Sequence, residues 1–178
     1  MNEQETEMLR IPEERVKVLI GKEGKIKKLI EEKCNIAFTV DSEGEVQVTG
    51  DPMEVFFALD VIKAIGRGFE PRAALRLLDH DYGLYIVSLK EFANTDKGIL
   101  RLKGRVIGEK GKMRIEIENA TDSKLSIYGG TIGIIAKIDT MERAKEAISM
   151  LLRGAKHSSV LSYLAKAKRE IMHERLKG

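Results

Sequence analysis

Tryptophan is missing from the 178 residues, cysteine occurs once and proline three times. A lone Cys34 forms no intrachain disulfide and leaves no cysteine pair for a zinc site, so it reads as a small packing residue. The three histidines, His80, His157 and His173, are scattered and share no ligand spacing. No metal or cofactor is therefore expected, and the chain reads as a binding protein, not an enzyme. Aromatic residues make up only 5% of the chain, which leaves few flat rings for stacking. No apolar run approaches the ~20 residues that span a bilayer, so no membrane partner is expected. Met1 to Glu7 is acidic and lacks the basic and apolar blocks of a secretory signal, which points to the cytoplasm.

What the chain does contain is a short loop written twice. Ile20-Gly21-Lys22-Glu23-Gly24-Lys25 returns as Ile107-Gly108-Glu109-Lys110-Gly111-Lys112, an offset of 87 residues. The flanks keep the offset: Ile26, Ile30, Phe38 and Val40 fall on Met113, Ile117, Leu125 and Ile127. After one inserted residue, Asp51-Pro52-Met53-Glu54 falls on Asp139-Thr140-Met141-Glu142. Two copies of one supersecondary unit account for this. In each copy an apolar residue ends a helix, glycine turns the chain, two polar residues stand out and a second glycine opens the next helix. Glycine permits positive φ and puts no Cβ in the way of a ligand. The following helix offers unpaired N–H groups and the positive end of its dipole, a seat for phosphate. A single G-x-x-G is more often a helix C-cap. Its repetition in frame, with lysines in and after each loop, favours the binding reading. Neither loop carries the Lys-Ser/Thr ending of a nucleotide P-loop.

Hydrophobic spacing supplies the remaining elements. In the first copy the predicted order is a strand at Met8–Ile11, a helix from Pro12, the loop, a helix through Ile26 and Ile30, strands at 36–40 and around Val46 and Val48, and a helix from Asp51–Pro52. The second copy repeats it from Tyr82, with Asn94 or Thr95 as a helix cap and Gly129-Gly130 as a hairpin turn. The domains are expected at 1–68 and 82–155, with a short helical linker at 69–81 and a helical extension at 156–178 capped by Ser158 or Ser159. The extension has an apolar stripe that includes Val160, Leu161, Leu164, Ala167, Ile171 and Met172, which suits docking on the second domain or at the domain interface. A partner-binding or RNA-flanking helix is the alternative. Charge is uneven: residues 1–90 carry 13 Lys/Arg against 17 Asp/Glu, and residues 91–178 carry 18 against 11. The second half is thus the better polyanion binder.

The Ile-Gly-x-x-Gly signature, with this element order, resembles the KH domain, whose loop clamps about four nucleotides of single-stranded RNA or DNA. The resemblance covers nearly the whole chain as two KH units of type I. It implies an α+β fold, each unit a three-stranded antiparallel sheet covered on one face by three helices, plus the C-terminal helix. The stretch Gly98 to Lys112 further resembles the archaeal member of a ribosome-biogenesis KH family. Implied partners are the 3′ region of small-subunit rRNA, the nuclease that trims it and a subunit of translation initiation factor two; the family's eukaryotic relatives act beside the rRNA dimethylase. An adaptor for mRNA or an RNA-degrading complex, and a protein-interaction scaffold that no longer binds RNA, remain as alternatives. The RNA contacts expected are Ile20, Gly21, Lys22, Glu23, Gly24 and Lys25 in the first unit. In the second they are Arg101, Arg105, Ile107, Gly108, Glu109, Lys110, Gly111, Lys112 and Arg114. An apolar base floor is expected from Ile20, Ile26 and Ile30, and from Ile107, Met113 and Ile117. With more cations around it, the second loop is expected to be the principal site.

Overall fold

The structure is a computed structural model that describes residues 4–178. The chain divides into two compact units, residues 1–80 and 81–178. In the first unit the order is β1 (Glu5–Arg10), α1 (Glu13–Ile20), α2 (Lys25–Cys34), β2 (Ala37–Val40), β3 (Glu45–Gly50) and α3 (Pro52–Gly66), followed by the short α4 (Pro71–Ala74). β3 lies between β1 and β2 and pairs antiparallel with both. Alternation along β3 turns Val46 and Val48 inward, opposite Leu9 on β1 and beside Phe38 on β2. The helices close this face with Leu19, Ile30, Val55, Ile62 and Ile65, all buried.

The second unit repeats the plan with β4 (Tyr82–Ser88), α5 (Asp96–Ile107), α6 (Lys112–Thr121), β5 (Lys124–Tyr128), β6 (Thr131–Lys137) and α7 (Ile138–Leu152). Its strand order is β4-β6-β5, again antiparallel. Ile132, Ile134 and Ala136 of β6 form one core with Val106, Ile117, Ile148 and Leu151 of the helices. The duplication reaches the helix ends: Asn35 and Asp122, 87 residues apart, both stop their helix in the left-handed conformation (φ 52° and 51°). Asn and Asp tolerate that conformation better than other side chains.

Several boundaries differ from the sequence expectation. β1 begins at Glu5, three residues ahead of the strand expected from Met8; Met1 to Glu3 lie outside the described residues. Six register partners on β3 hold these polar residues in a strand that hydrophobic alternation does not mark. α7 starts at Ile138, one residue before the Asp139 that falls on Asp51, and Thr95, not Asn94, caps α5 through Gly98 N–H. The segment expected as a linker buries Ala74 and Leu77, and α4 packs against α3 within the first unit.

The extension forms α8 (His157–Lys177), which starts one residue before Ser158 and has no side-chain cap. It docks on α6 and α7 through Val160, Leu164, Ala167 and Ile171. Arg175 reaches Asp122 at 3.1 Å, just past the C-terminal end of α6, and Arg143 of α7 holds Glu174 at 2.6 Å. His157 and Leu161 lie near Gly108 and Met113 at the other end of α6. α6 and α8 therefore run parallel, both starting beside the second loop.

Candidate nucleic-acid interface

Each loop is built by its two glycines in different ways. Gly21 and Gly108 (φ 71° and 73°, ψ near 175°) end the preceding helix in a region open essentially to glycine alone. A Cβ there would stand 2.9 Å from the Ile26 nitrogen or 2.8 Å from the Met113 nitrogen, so close packing also demands glycine. Gly24 and Gly111 (φ 73° and 75°) are left-handed, and a Cβ at either meets nothing within 4 Å. The first glycine of each loop fits the loop to its own helix; the second faces open space. Between them, Glu23 and Lys110 hold positive φ, 55° and 53°, uncommon for non-glycine residues.

α2 and α6 start without a side-chain cap and without an acidic residue in their first turn. By contrast α3 is capped by Asp51 and α5 by Thr95, and α1 and α7 carry acids in their first turns; α4 and α8 share the bare start of the loop helices. The loop helices thus present their N–H groups and dipole to whatever lies outside. Lys22, Lys25, Lys110 and Lys112 surround these starts, all exposed. Lys25 sits 3.5 Å from Glu23, an exposed pair worth little.

The structure separates the expected floor residues into two groups. Ile30 and Ile117 are fully buried and Met113 nearly so; these belong to the core. Ile20 and Ile26 are half-buried, and Ile107 is 36% exposed beside its loop. Two exposed residues were not anticipated: Leu100 on α5 (69%) and Ile115 on α6 (50%). Leu100, Gly104 and Ile107 share one face of α5 by their i, i+4, i+7 spacing, and this apolar strip leads to the second loop. Leu100 was legible only as an apolar residue off the buried stripe. At the matching positions the first unit has Glu13, Lys17 and Ile20, and Lys28 matches Ile115.

Arg105 is a correction. Its Nε donates to the Leu151 carbonyl at 2.9 Å and a terminal nitrogen donates to the Ala155 carbonyl. The guanidinium braces the C-terminal end of α7, where the last carbonyls and the helix dipole favour a cation, and its bonded nitrogens are not available as a phosphate contact. Arg15 does the same work in the first unit, to Ile65 at 2.8 Å and Phe69 at 2.9 Å. The two arginines are not repeat partners; they reach the third helix from different turns. Arg101 is exposed, and Arg114 is an exposed cation 3.5 Å from Glu118.

Glu118 was not anticipated. Its carboxylate accepts the Leu125 N–H at 2.8 Å, and its counterpart Glu31 accepts the Phe38 N–H at 3.1 Å. Each carboxylate so occupies one outward donor on the edge strand of its sheet. Because backbone groups alternate along an antiparallel strand, those of Val40 and Ile127, two residues on, face the same outer edge. Cys34 is buried, and burial pushes its thiol up to about 11, with the Glu54 charge adding to the effect.

A model for the second KH domain of PNO1, described as a eukaryotic-type KH domain (type I), matches residues 83–169, and a KH-domain model matches residues 5–64. A KH domain-containing protein of Methanocaldococcus jannaschii is 42% identical over 174 residues, covering 95% of this chain and 77% of that protein. The pre-rRNA-processing protein PNO1 of Chaetomium thermophilum is 32% identical over 109 residues, covering 59% of this chain but only 42% of that protein. A chain of the a/eIF2alpha–aDim2p–rRNA complex from Pyrococcus horikoshii superposes with TM-score 0.88 at 41% identity, covering 94% of this chain and 96% of that one. With both loops intact in two matched type I units, the chain belongs to the KH-domain family, in the group of archaeal Dim2p and the PNO1 pre-rRNA-processing proteins.

Proposed function

We propose that the chain binds single-stranded RNA chiefly through its second unit and serves as an assembly factor near the 3′ end of small-subunit rRNA. The observation that carries the RNA reading is the second loop. An open glycine, an uncapped helix start and Lys110 and Lys112 meet there, next to the exposed strip of Leu100 and Ile107. Phosphates lie against the loop and first turn, and bases lie on the strip toward the β5 edge. Phosphate contacts give affinity and base edges give choice. The first unit has the same backbone but polar residues where the strip would be, so it is the weaker RNA site or a protein-contact surface.

The ribosomal reading is supported by the relatives: PNO1 proteins are named for pre-rRNA processing, and the Pyrococcus complex joins aDim2p to rRNA and a/eIF2alpha. We extend the partners accordingly to an initiation factor two subunit and to the rRNA-trimming nuclease. The action proposed is non-catalytic and cytoplasmic; no helix among the described residues is long and apolar enough to cross a membrane. Crosslinking in cells followed by RNA sequencing tests the proposal. Reads should concentrate at the 3′ end of small-subunit rRNA. Reads spread over mRNA would instead establish an adaptor, and an absence of crosslinks a protein scaffold.

A further inference from the structure

α8 has no counterpart in the first unit, and its first turn helps to form a cavity at the second loop. The cavity, about 260 Å³, is lined by Gly108, Lys112 and Met113 on one side and by His157 and Leu161 of α8 on the other. Glu109 and Glu116 complete its rim. This is below the ~300–1,000 Å³ of sites that enclose a whole small molecule, which suits one planar ring system. Two carboxylates in the lining disfavour a phosphate. Leu161, 42% exposed, and the stem of Lys112 suit an apolar face, and the half-buried His157 supplies a flat ring where the groove otherwise has none. Gly108 and Lys112 also belong to the loop and first turn that hold the RNA backbone, so the cavity continues the same interface.

We propose that this cavity seats one nucleobase of the RNA, flanking the nucleotides held by the second loop, with His157 as its stacking platform. The inference rests on the RNA-binding reading of that loop. It makes α8 part of the binding surface of the second unit as well as a packing helix, and gives that unit a longer footprint than the first.

The test uses the full chain and labelled oligoadenylates and oligocytidylates of four and seven nucleotides, with affinity read by fluorescence anisotropy. His157→Ala should weaken the heptamers about five- to tenfold, toward the low end of base stacking, and leave the tetramers unchanged. His157→Phe should restore the heptamers. Gly24→Asp should leave this length dependence intact, because the first unit lacks the cavity. Thermal unfolding of each variant verifies the fold. If His157→Ala and His157→Ala/Leu161→Ala bind both lengths as the native chain does, while Gly111→Asp abolishes binding, the cavity holds no base although the loop holds RNA. If Gly111→Asp binds normally, the loop reading fails and this inference falls with it.

Discussion

The two glycines of the second loop should separate stability from binding. Gly108→Ala places a Cβ 2.7 Å from the Met113 Cβ and 2.8 Å from its nitrogen, at φ 73° and ψ 176°. Backbone strain of about 1–3 kcal/mol adds to overpacking of about 1–3 kcal/mol. The sum, roughly 2–6 kcal/mol, lowers the melting temperature of a unit this size by ~8 °C or more at ~4–8 °C per kcal/mol. Gly111 is left-handed with open space beyond it, so Gly111→Asn and Gly111→Asp should each cost about 1 kcal/mol or less in folding. These two variants are nearly isosteric and differ in one charge. A carboxylate at about 5 Å from a bound phosphate opposes it by ~1–3 kcal/mol for effective dielectrics between 80 and 20. Gly111→Asp should therefore bind single-stranded RNA from several-fold to over a hundredfold more weakly than Gly111→Asn. Guanidinium denaturation and fluorescence anisotropy on the same preparations read both quantities. Equal RNA affinity for the Asn and Asp variants would show that no phosphate sits at Gly111. A native-like melting temperature for Gly108→Ala would refute the division of labour between the glycines.

Other outcomes follow from single contacts. Lys110→Ala and Lys112→Ala should each flatten the salt dependence of RNA binding by about 0.7 in the log–log slope, and Lys22→Ala should cost less affinity; a larger loss at Lys22, measured across a salt series, would reverse the ranking of the units. Arg105→Met should destabilise the second unit by roughly 2–4 kcal/mol through two lost charge-assisted hydrogen bonds, yet leave RNA affinity of the folded protein unchanged, as denaturation and anisotropy at low temperature will show. Cys34 has a raised thiol pKa, so its folded form keeps the proton that an unfolded thiol loses near pH 9; the stability this contributes is complete below pH 9 and is lost as pH rises through about 11. Thiol titration at pH 8 should accordingly be slow in the native chain and fast in denaturant, and equal rates would contradict its burial.

The fold was legible in the sequence wherever a residue type meets a backbone need that few others can meet. The loop glycines sit at positive φ, and Asp51 and Thr95 stand at the starts of their helices and cap them. Alternation at Phe38, Val46 and Val48 marks the sheet because one face is buried. What escaped reading depends on partners distant in the chain. Arg105 looks like one more basic residue near a loop; only the approach of α7 turns it inward. Glu31 and Glu118 look like solvated helix charges until β2 and β5 arrive seven residues later to offer them an N–H. Ser158 and Ser159 have the composition of a cap, but docking of Val160 and Leu164 sets the phase of α8 and starts the helix at His157 instead. Ile30 and Ile117 could not be told from floor residues, since helical spacing marks a face without saying what covers it.

Comparison of the two units says which property of the loop is shared and which has diverged. The backbone is conserved between them almost angle for angle: φ 71° and 73° at the first glycine, 55° and 53° at the third position, 73° and 75° at the last glycine. The side chains around it are not. Glu13, Lys17, Glu23 and Lys28 of the first unit stand where the second has Leu100, Gly104, Lys110 and Ile115. Capacity for a phosphate resides in main-chain N–H groups and a helix start, which both units keep. Capacity for bases needs apolar surface left exposed, and only the second unit keeps Leu100 and Ile115 in water at the cost of their burial, about 1.5–3 kcal/mol for each such side chain. The first unit shows that the same backbone accepts polar residues at these positions. On the proposed reading the second unit's strip is the surface that meets bases, and the first unit's polar face belongs to the weaker RNA site or to a protein contact.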